Sequence, residues 1–302
     1  MHNFNEVKFS CVYFPTIHYL CSSLSAVMTM KSLNVLKGFA GVFVSCLALC
    51  SCDDVFEYHP YDTNFDGDKY INSTNIPIIE DVTAGLDTFT FAFISDTHLW
   101  HSEAEDIVAD INSRDGISFV VHGGDLTDTG TTTEFEWTRD ILDDLTVPYV
   151  ALLGNHDCLG TGTDVFAAMY GDPDFSFIAG RVKFICINTN ALEYDYPDDI
   201  PDLDFIADEG MTDTTDFDRT IVIMHARPYS DQFNDDMAED FEDCVTALPG
   251  IMFCANGHDH RLQVDDLFGD GIVYYGTTCA EDRQYLLFTI TPTEYVYEVI
   301  SL

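Results

Sequence analysis

Residues 147–157 read VPYVALLGNHD, an apolar run followed by a glycine and three polar residues. The apolar run predicts a buried strand. Gly154 ends that strand and allows a tight turn. The turn leaves Asn155, His156 and Asp157 at the carboxyl end of the strand, which is the edge where open α/β sheets bind ligands. An ordinary polar turn has a similar composition, so this stretch alone leaves both interpretations open.

The segments before this turn alternate between two kinds of pattern. Apolar, β-rich runs at Thr88–Ser95 and Ile117–His122 predict strands. Apolar residues at helical spacing predict helices over Glu103–Ser113 and Thr133–Leu145. Strand, helix, strand, helix and strand at this spacing predict a βαβαβ unit, and hence a parallel sheet.

The second half of the chain is less regular. Strands are predicted at Phe175–Phe177, Val182–Asn188, Thr220–Met224, Ile251–Ala255, Gln263–Asp266, Ile272–Tyr275, Tyr285–Ile290 and Tyr295–Ile300. Short helices are predicted near Leu203–Ala207 and over Asp236–Leu248. We expect the last four strands to close a sheet, and the segments 99–103, 158–175 and 190–215 to be irregular.

Charge restricts the partners. The chain of 302 residues has 53 Asp and Glu against 12 Lys and Arg, a net charge of −41. Because phosphate backbones require a basic surface, we expect no binding to long nucleic acid. The cysteines after residue 52 show no C-x-x-C spacing, which argues against a disulfide scaffold or a zinc-thiolate site. Cys186 and Cys254 lie in apolar strands and are predicted core residues, whereas Cys158 beside the polar turn is either inert or reactive.

The front of the chain has the pattern of a targeting segment. Residues 30–37 form a short basic head, and residues 38–49 form an apolar run too short to span a bilayer. The sequence Leu49-Cys50-Ser51-Cys52 that follows resembles a bacterial lipobox, with Cys52 as the lipidated residue. An ordinary signal peptide or a buried helix is the alternative. The lipobox predicts a protein anchored in the bacterial cell envelope, at the outer membrane, on its periplasmic or surface face.

These patterns predict four parts of the chain. Residues 1–29 precede the basic head and are predicted not to belong to the true product. Residues 30–51 are the predicted lipoprotein signal peptide. Residues 52–86 lack periodicity and are predicted to be a tether, partly packed on the domain. Residues 87–302 are the predicted functional domain.

Five predicted strands end in residues of metal-ligand type. These endings are Asp96-Thr97-His98, Gly124-Asp125-Leu126-Thr127-Asp128, Asn155-His156-Asp157, His225 and Gly257-His258-Asp259-His260. Carboxylates, imidazoles and an amide without thiolates suit hard or borderline divalent ions such as Mn, Fe, Zn or Mg. The ligands are too many for one ion, but two ions that share a carboxylate would use them all.

The order of these blocks, Asp-x-His, Gly-Asp-x-x-Asp, Gly-Asn-His-Asp, His and Gly-His-x-His, resembles that of the calcineurin-like metallophosphoesterases. The resemblance runs from about Phe89 to the C-terminus. The second block lacks the Arg-Gly that follows in protein Ser/Thr phosphatases, which argues against that branch. The family implies an α/β fold of four layers, α/β/β/α, in which helices flank two mixed sheets and the metal site lies at the carboxyl ends of the strands.

The resemblance also implies a role for each matching residue. It assigns Asp96, His98 and His260 to one ion, Asn155, His225 and His258 to a second ion, and Asp125 to a bridge between them. It makes His156 the group that protonates or stabilises the leaving oxygen, with Asp128 as its orienting partner. The implied reaction is hydrolysis of phosphate mono- or diesters by a hydroxide held between the two ions.

Several polar residues beside the blocks match no ligand position. Asp157 is either an outer support of the site or a plain turn carboxylate. His101 and His122 are predicted not to bind metal. Arg227 and Arg261 either contact substrate phosphate or pair with the many acids.

Aromatic residues of the irregular segments could define the substrate. Trp100, Tyr170, Tyr194 and Tyr196 either stack on a base or line a pocket, or else pack in the core. The small phosphoester substrate is otherwise unspecified. The alternative function is an envelope lipoprotein that keeps the fold as a binding or adhesion module without turnover. A nuclease would share the site but conflicts with the acidic charge.

Overall fold

Two mixed β-sheets pack against each other in the computed structural model, which describes residues 62–194, 200–211 and 215–302. The strands are β1 (Phe89–Ile94), β2 (Ile117–His122), β3 (Tyr149–Ala151), β4 (Phe175–Ala179), β5 (Val182–Ile187), β6 (Arg219–Met224), β7 (Ile251–Asn256), β8 (Gln263–Asp265), β9 (Tyr274–Gly276), β10 (Gln284–Ile290) and β11 (Tyr295–Ser301). The helices are α1 (Ile71–Thr83), α2 (His101–Ser113), α3 (Thr132–Leu142), α4 (Gly162–Met169), α5 (Leu203–Met211) and α6 (Ala238–Thr246).

The first sheet has the order β11-β10-β1-β2-β3, and the second has the order β4-β5-β6-β7-β9-β8. Strands β1, β2 and β3 are parallel, which confirms the predicted βαβαβ unit. Strands β5, β6, β7 and β9 are also parallel, while β4, β8, β10 and β11 run antiparallel to their neighbours. The parallel strands of each sheet therefore end at one common edge.

Phenylalanine rings fill the space between the two sheets. Phe91 of β1 stacks on Phe119 of β2 with ring centroids 5.3 Å apart, and meets Phe184 of β5 edge-on at 5.2 Å. Because successive side chains of a strand point to opposite faces, the residues between these phenylalanines face the helices. Both faces of the parallel strands are thus covered, which explains their continuous apolar runs.

The outer face of each sheet is covered by its own helices. Ala92 and Ile94 of β1 share a buried cluster with Ile107 of α2 and Phe166 of α4. On the second sheet, alternate residues of β5 and β6 pack in a separate cluster with Phe241 of α6. The predicted arrangement of four layers, α/β/β/α, is confirmed.

The segment 52–86, predicted to be a tether partly packed on the domain, is helical in its second half. Residues 71–83 form α1, and the helix packs against β3. Asn72 lies buried and pairs with both main-chain groups of Ala151, at 2.9 Å to its N–H and 2.8 Å to its carbonyl. The packed domain therefore begins before residue 71 rather than at residue 87. Residues 1–61, which hold the predicted signal peptide and Cys52, lie outside the described residues.

Two further predictions differ from the structure. Residues 162–169 form α4, although the segment 158–175 was expected to be irregular. The last four strands do not close one sheet, because β8 and β9 extend the second sheet while β10 and β11 extend the first. Among the residues with a described placement, no helix is long and apolar enough to cross a membrane.

Candidate metal centre

The turns after β1, β2 and β7 bring the predicted ligands together through an uncommon backbone conformation. Asp96, Asp125, His258 and His260 have φ angles of 54°, 57°, 63° and 51°, in the left-handed region. This region costs a residue with a side chain about 1–2 kcal/mol. Such strain persists where the surrounding structure enforces it, and it is concentrated at functional sites. Here it turns four ligand side chains toward one point.

The first donor group consists of Asp96, His98, Asp125 and His260, with one donor atom from each within 4.8 Å of the others. The distance from Asp96 Oδ1 to His260 Nε2 is 3.2 Å. Both ring nitrogens of His98 are buried without a hydrogen-bond partner among the described residues. Buried polar atoms are almost always paired. The lone pair of the His98 ring, beside the carboxylates of Asp96 and Asp125, fits a divalent cation.

The second donor group consists of Asp125, His225 and His258, and it shares Asp125 with the first. Asn155 completes it, with its Oδ1 3.0 Å from His225 Nε2 and 2.9 Å from His258 Nδ1. His225 Nε2 lies 3.4 Å from Asp125 Oδ2. The structure thus brings all seven predicted ligands into two adjoining groups.

The other ring nitrogen of each histidine in the second group is already engaged. His225 Nδ1 donates a hydrogen bond of 2.8 Å to the carbonyl of Gly123. His258 Nε2 lies 2.6 Å from Oδ1 of Asp231. Once each ring is in its neutral form, the nitrogen that these contacts leave free carries a lone pair that faces Asn155 Oδ1. A cation between them would satisfy all three atoms.

The acid and imidazole groups partly neutralise one another. Burial opposes protonation of His225, but the carboxylates of Asp125 and Asp96 outweigh it and raise the pKa of His225 to about 9. The hydrogen bond with Asp96 is the main reason that the pKa of His260 is raised to about 10. Burial opposes ionisation of Asp125, yet the surrounding histidines hold its pKa well below the usual range. Protons and metal cations therefore compete for the same ligand atoms of the centre.

His156 is adjacent to the centre without joining the second donor group. Its Nδ1 donates a hydrogen bond of 2.8 Å to the main-chain carbonyl of Asp128, and its ring centroid lies 4.6 Å from that of His98. Oδ1 of Asp128 is 3.7 Å from His156 Nδ1 and 3.5 Å from His98 Nδ1. The closest contact that orients His156 is therefore the main chain of Asp128 rather than its carboxylate.

Asp157 holds the turns that carry the predicted ligands. Of the two roles that the sequence left open, the structure therefore favours an outer support over a plain turn carboxylate. Its two carboxylate oxygens accept hydrogen bonds from the main-chain N–H groups of Leu126, Thr127 and Gly154 and from the Thr127 hydroxyl, at 2.8–3.1 Å. Burial is the main reason that its pKa is raised to about 7. Asp157 thus joins the turn after β3 to the turn after β2.

His122 is a buried support rather than a ligand. Its Nδ1 accepts a hydrogen bond of 3.2 Å from the N–H of Gly124, and its Nε2 lies 2.9 Å from Oγ1 of Thr97. Burial lowers the pKa of His122 to about 4, so the ring is neutral at pH 7. His101 lies at the start of α2, beside Trp137, and belongs to neither donor group.

Sequence reasoning missed two outer residues, Asp231 and Asp259. Asp259 lies between the two predicted ligands of the last block, and its Oδ2 is 2.8 Å from Nε of Arg227. Arg227 therefore pairs with an acid, one of the two roles that the sequence left open, while Arg261 lies exposed 4.0 Å from the same carboxylate. The sequence signals for the Arg227–Asp259 pair are positions alone: Arg227 follows His225 by two residues, and Asp259 lies inside the last block.

The remaining candidates pack into the protein. Tyr170 is fully buried in the cluster between the first sheet and its helices, so it does not line a substrate pocket. Cys186 and Cys254 are fully buried, as predicted. Burial raises the pKa of the Cys158 thiol, which disfavours the nucleophilic thiolate. Tyr196 lies outside the described residues.

Comparisons with known proteins agree with this geometry. The model of the calcineurin-like phosphoesterase family matches residues 89–262. No curated protein sequence matches the chain significantly. Among solved structures, a purple acid phosphatase from yellow lupin (Lupinus luteus) has a TM-score of 0.58 at 13% identity, over 72% of this chain and 52% of the other.

Two other solved structures show the same fold. A dimetal phosphatase from Danio rerio has a TM-score of 0.56 at 11% identity, over 70% of this chain and 96% of the other. GAP50, the anchor in the inner membrane complex of Plasmodium, has a TM-score of 0.56 at 13% identity, over 72% of this chain and 85% of the other. At these identities the structures establish only the fold. The family model spans more than half of the sequence, and the donor groups fit divalent metal, so this chain belongs to the calcineurin-like phosphoesterases, hydrolases that act on phosphoester bonds.

Proposed function

We propose that this chain is a dinuclear metallophosphoesterase that hydrolyses small phosphate mono- or diesters. The residues that would hold one ion are Asp96, His98 and His260, those that would hold the second are Asn155, His225 and His258, and Asp125 would contact both. Mn, Fe, Zn and Mg all suit this set of ligands. Two such ions, when bound, lower the pKa of water and neutralise phosphate oxygens.

One observation carries the proposal, namely that Asp125 belongs to both donor groups. Its side chain is almost fully buried, and its Oδ1 also accepts a hydrogen bond of 2.9 Å from the N–H of His156. A single carboxylate common to two converging groups is the arrangement that a pair of ions requires. The same hydrogen bond fixes the start of the turn that carries His156.

His156 would act on the leaving group. Its Nδ1–H is held by the carbonyl of Asp128, so its Nε2 can deliver a proton to the departing oxygen. About a third of the His156 side chain is exposed, which gives a substrate access to it. Asp128 acts here as a positioning residue, chiefly through its main chain.

The experiment is hydrolysis of p-nitrophenyl phosphate and bis-(p-nitrophenyl) phosphate by the metal-stripped full-length protein, with and without added Mn²⁺, Zn²⁺ or Mg²⁺. We expect release of nitrophenol only with metal. Asp125→Ala should abolish it, because the shared ligand is lost. Asp115→Ala is the matched control, since Asp115 is an exposed acid away from the donor groups. No release with any metal from a folded protein would contradict the proposal.

A binding or adhesion module is the competing function. It would use the same fold without turnover, and loss of a ligand would favour it. All seven ligand positions are occupied by ligand-type side chains in this chain. Binding of two ions without hydrolysis of any phosphoester would decide for the module.

We also propose that the protein is anchored in a bacterial cell envelope through a lipid on Cys52. The support is the basic head, the short apolar run and the lipobox-like sequence at residues 30–52. Cys52→Ser should move the protein from the membrane fraction to the soluble fraction. Unchanged membrane association of that variant would contradict the anchor.

A further inference from the structure

An exposed carboxylate contacts a predicted metal ligand from outside the centre. Asp231 lies in the loop after β6, six residues beyond His225. Its Oδ1 is 2.6 Å from Nε2 of His258, while 89% of its side chain is exposed to solvent. His258 directs its opposite nitrogen, Nδ1, toward Asn155 at 2.9 Å. The ring of His258 thus lies between Asp231 on one side and Asn155 of the second donor group on the other.

We propose that Asp231 is a positioning residue that selects the tautomer of His258, an inference that rests on the proposed function. By accepting the Nε2 proton, the carboxylate leaves the lone pair on Nδ1, the nitrogen that faces Asn155. It also holds the plane of the ring. Partners of this kind increase the basicity of a histidine ligand, and their loss typically weakens metal binding about 10–100-fold.

The loop that carries Asp231 is held at several points. Tyr229 adopts a left-handed φ of 66°, and its N–H donates to Oδ1 of Asp235 at 3.1 Å. The N–H of Ser230 donates to the carbonyl of Arg227 at 3.1 Å. The carbonyl of Gln232 accepts from the N–H of Ala191 at 3.1 Å. Contacts on both sides of Asp231 therefore hold the main chain that carries its carboxylate.

The loop after β6 also contacts the last ligand block through Arg227. Arg227 contacts Asp259, and its Nε also lies 3.1 Å from Oε1 of Gln263. Asp259 separates His258 from His260, which both have strained backbone angles. The loop after β6 thus contacts the last block at the ring of His258 and at the residue that follows it.

Fold stability does not account for the Asp231 contact. Ion pairs this exposed contribute about 0–1 kcal/mol to stability, so the carboxylate can be removed without unfolding the protein. Asp236→Ala provides the matched control. Asp236 is an exposed acid of the same loop, and its N–H, rather than its carboxylate, makes the contact with Asn234.

The first test is the tautomer of His258 in the metal-free full-length protein at pH 8, read from long-range ¹H–¹⁵N NMR correlations. We expect the Nε2–H tautomer in the wild type and in Asp236→Ala. Asp231→Ala should give a mixture of tautomers, and Asp231→Asn, which keeps an oxygen acceptor, should retain most of the Nε2–H form. An unchanged Nε2–H tautomer in Asp231→Ala would overturn the proposal.

The second test is equilibrium binding of Mn²⁺ to the same proteins. Asp231→Ala should bind one of the two ions about 10–100-fold more weakly and the other unchanged. Equal affinities of wild type and Asp231→Ala for both ions would overturn the role of Asp231. Fewer than two ions on the wild type would instead contradict the proposed function, and the tautomer measurement would still test the contact.

Discussion

The imidazole of His156 is the clearest single residue to test. It lies outside both donor groups that share Asp125, and its Nδ1 is held by a main-chain carbonyl that any side chain at position 128 leaves in place. We therefore expect His156→Ala to keep its ions and to lower turnover by about 10²–10⁴-fold, the usual range for general acid–base catalysis.

Turnover and bound metal should be measured together in this variant. His101→Ala is the control, because His101 lies three residues after the predicted ligand His98 but belongs to neither donor group. Near-normal turnover in His156→Ala would place the proton donor elsewhere.

Protonation of the ligands predicts a link between metal binding and pH. The pKa values of His225 and His260 are raised to about 9 and about 10. Both rings are therefore protonated on both nitrogens, and positively charged, at pH 7 in the metal-free protein. A metal ion must displace these protons. We expect binding at pH 7 to release about two protons per chain, and the release to decline as pH rises from 9 to above 10.

Calorimetry in buffers with different ionisation enthalpies measures this release. Binding that is independent of the buffer at pH 7 would show that the two rings are neutral before the metal arrives.

At the scale of elements, α1 is held to β3 by a polar contact. Asn72 pairs with both main-chain groups of Ala151 at the edge of the first sheet, so it replaces a neighbouring strand at that point. Asn72→Ala leaves a buried N–H and a buried carbonyl unpaired, and each costs about 1–3 kcal/mol. We expect the free energy of unfolding to fall by about 2–6 kcal/mol in total.

Urea denaturation of the metal-free protein measures this loss, with the exposed Ser73→Ala as the control. A change below about 1 kcal/mol would mean that water pairs with Ala151 once Asn72 is gone.

The contact also explains what the sequence could and could not predict. The strands were predicted because their burial on both faces produces continuous apolar runs, as in Ile117–His122. The buried face of α1 combines Ile71 and Ile79 with Asn72 and Thr83, and Pro77 interrupts its sequence, so no apolar helical period is visible. A buried amide resembles a loop residue until its partner on β3 is known.

The candidate site could be outlined from the sequence, because each of its short blocks of ligand-type residues follows a predicted strand. Its outer contacts were not predictable. Asp231 meets His258 across 27 residues, and Arg227 meets Asp259 across 32, with only ordinary polar loop sequence between them. The resemblance implies Asp128 as the orienting partner of His156, but the sequence does not show that the closest contact comes from its main-chain carbonyl.

At the scale of the whole molecule, sheet membership could not be predicted from the strand patterns. The runs at β9 and β10 are separated by a short connection, yet they belong to different sheets. Strand β10 pairs with β1, across almost 200 residues, because its alternate residues Leu286 and Phe288 join the phenylalanine core between the sheets. Local periodicity identifies a strand but not its partner.

The net charge of −41 predicts an unusual salt dependence. A field of the same sign as the substrate slows its approach, and salt screens that field within about 10 Å at 0.1 M. We expect kcat/KM to rise between 20 and 200 mM salt, and to rise more for dianionic p-nitrophenyl phosphate than for its monoanionic diester.

The quantity to measure is kcat/KM for p-nitrophenyl phosphate divided by kcat/KM for the diester at each salt concentration. This ratio cancels general effects of salt on the enzyme, and we expect it to rise with salt. A ratio that falls with salt would indicate a local positive field at the centre that outweighs the charge of the whole molecule.

The most direct test of the central claim is a titration of the metal-stripped protein with Mn²⁺, in which bound ion and hydrolysis of bis-(p-nitrophenyl) phosphate are followed together. The two donor groups that share Asp125 predict binding of two ions per chain and full activity only when both are bound. Full activity at one ion per chain, or two bound ions without hydrolysis of any phosphoester, would contradict a dinuclear phosphoesterase.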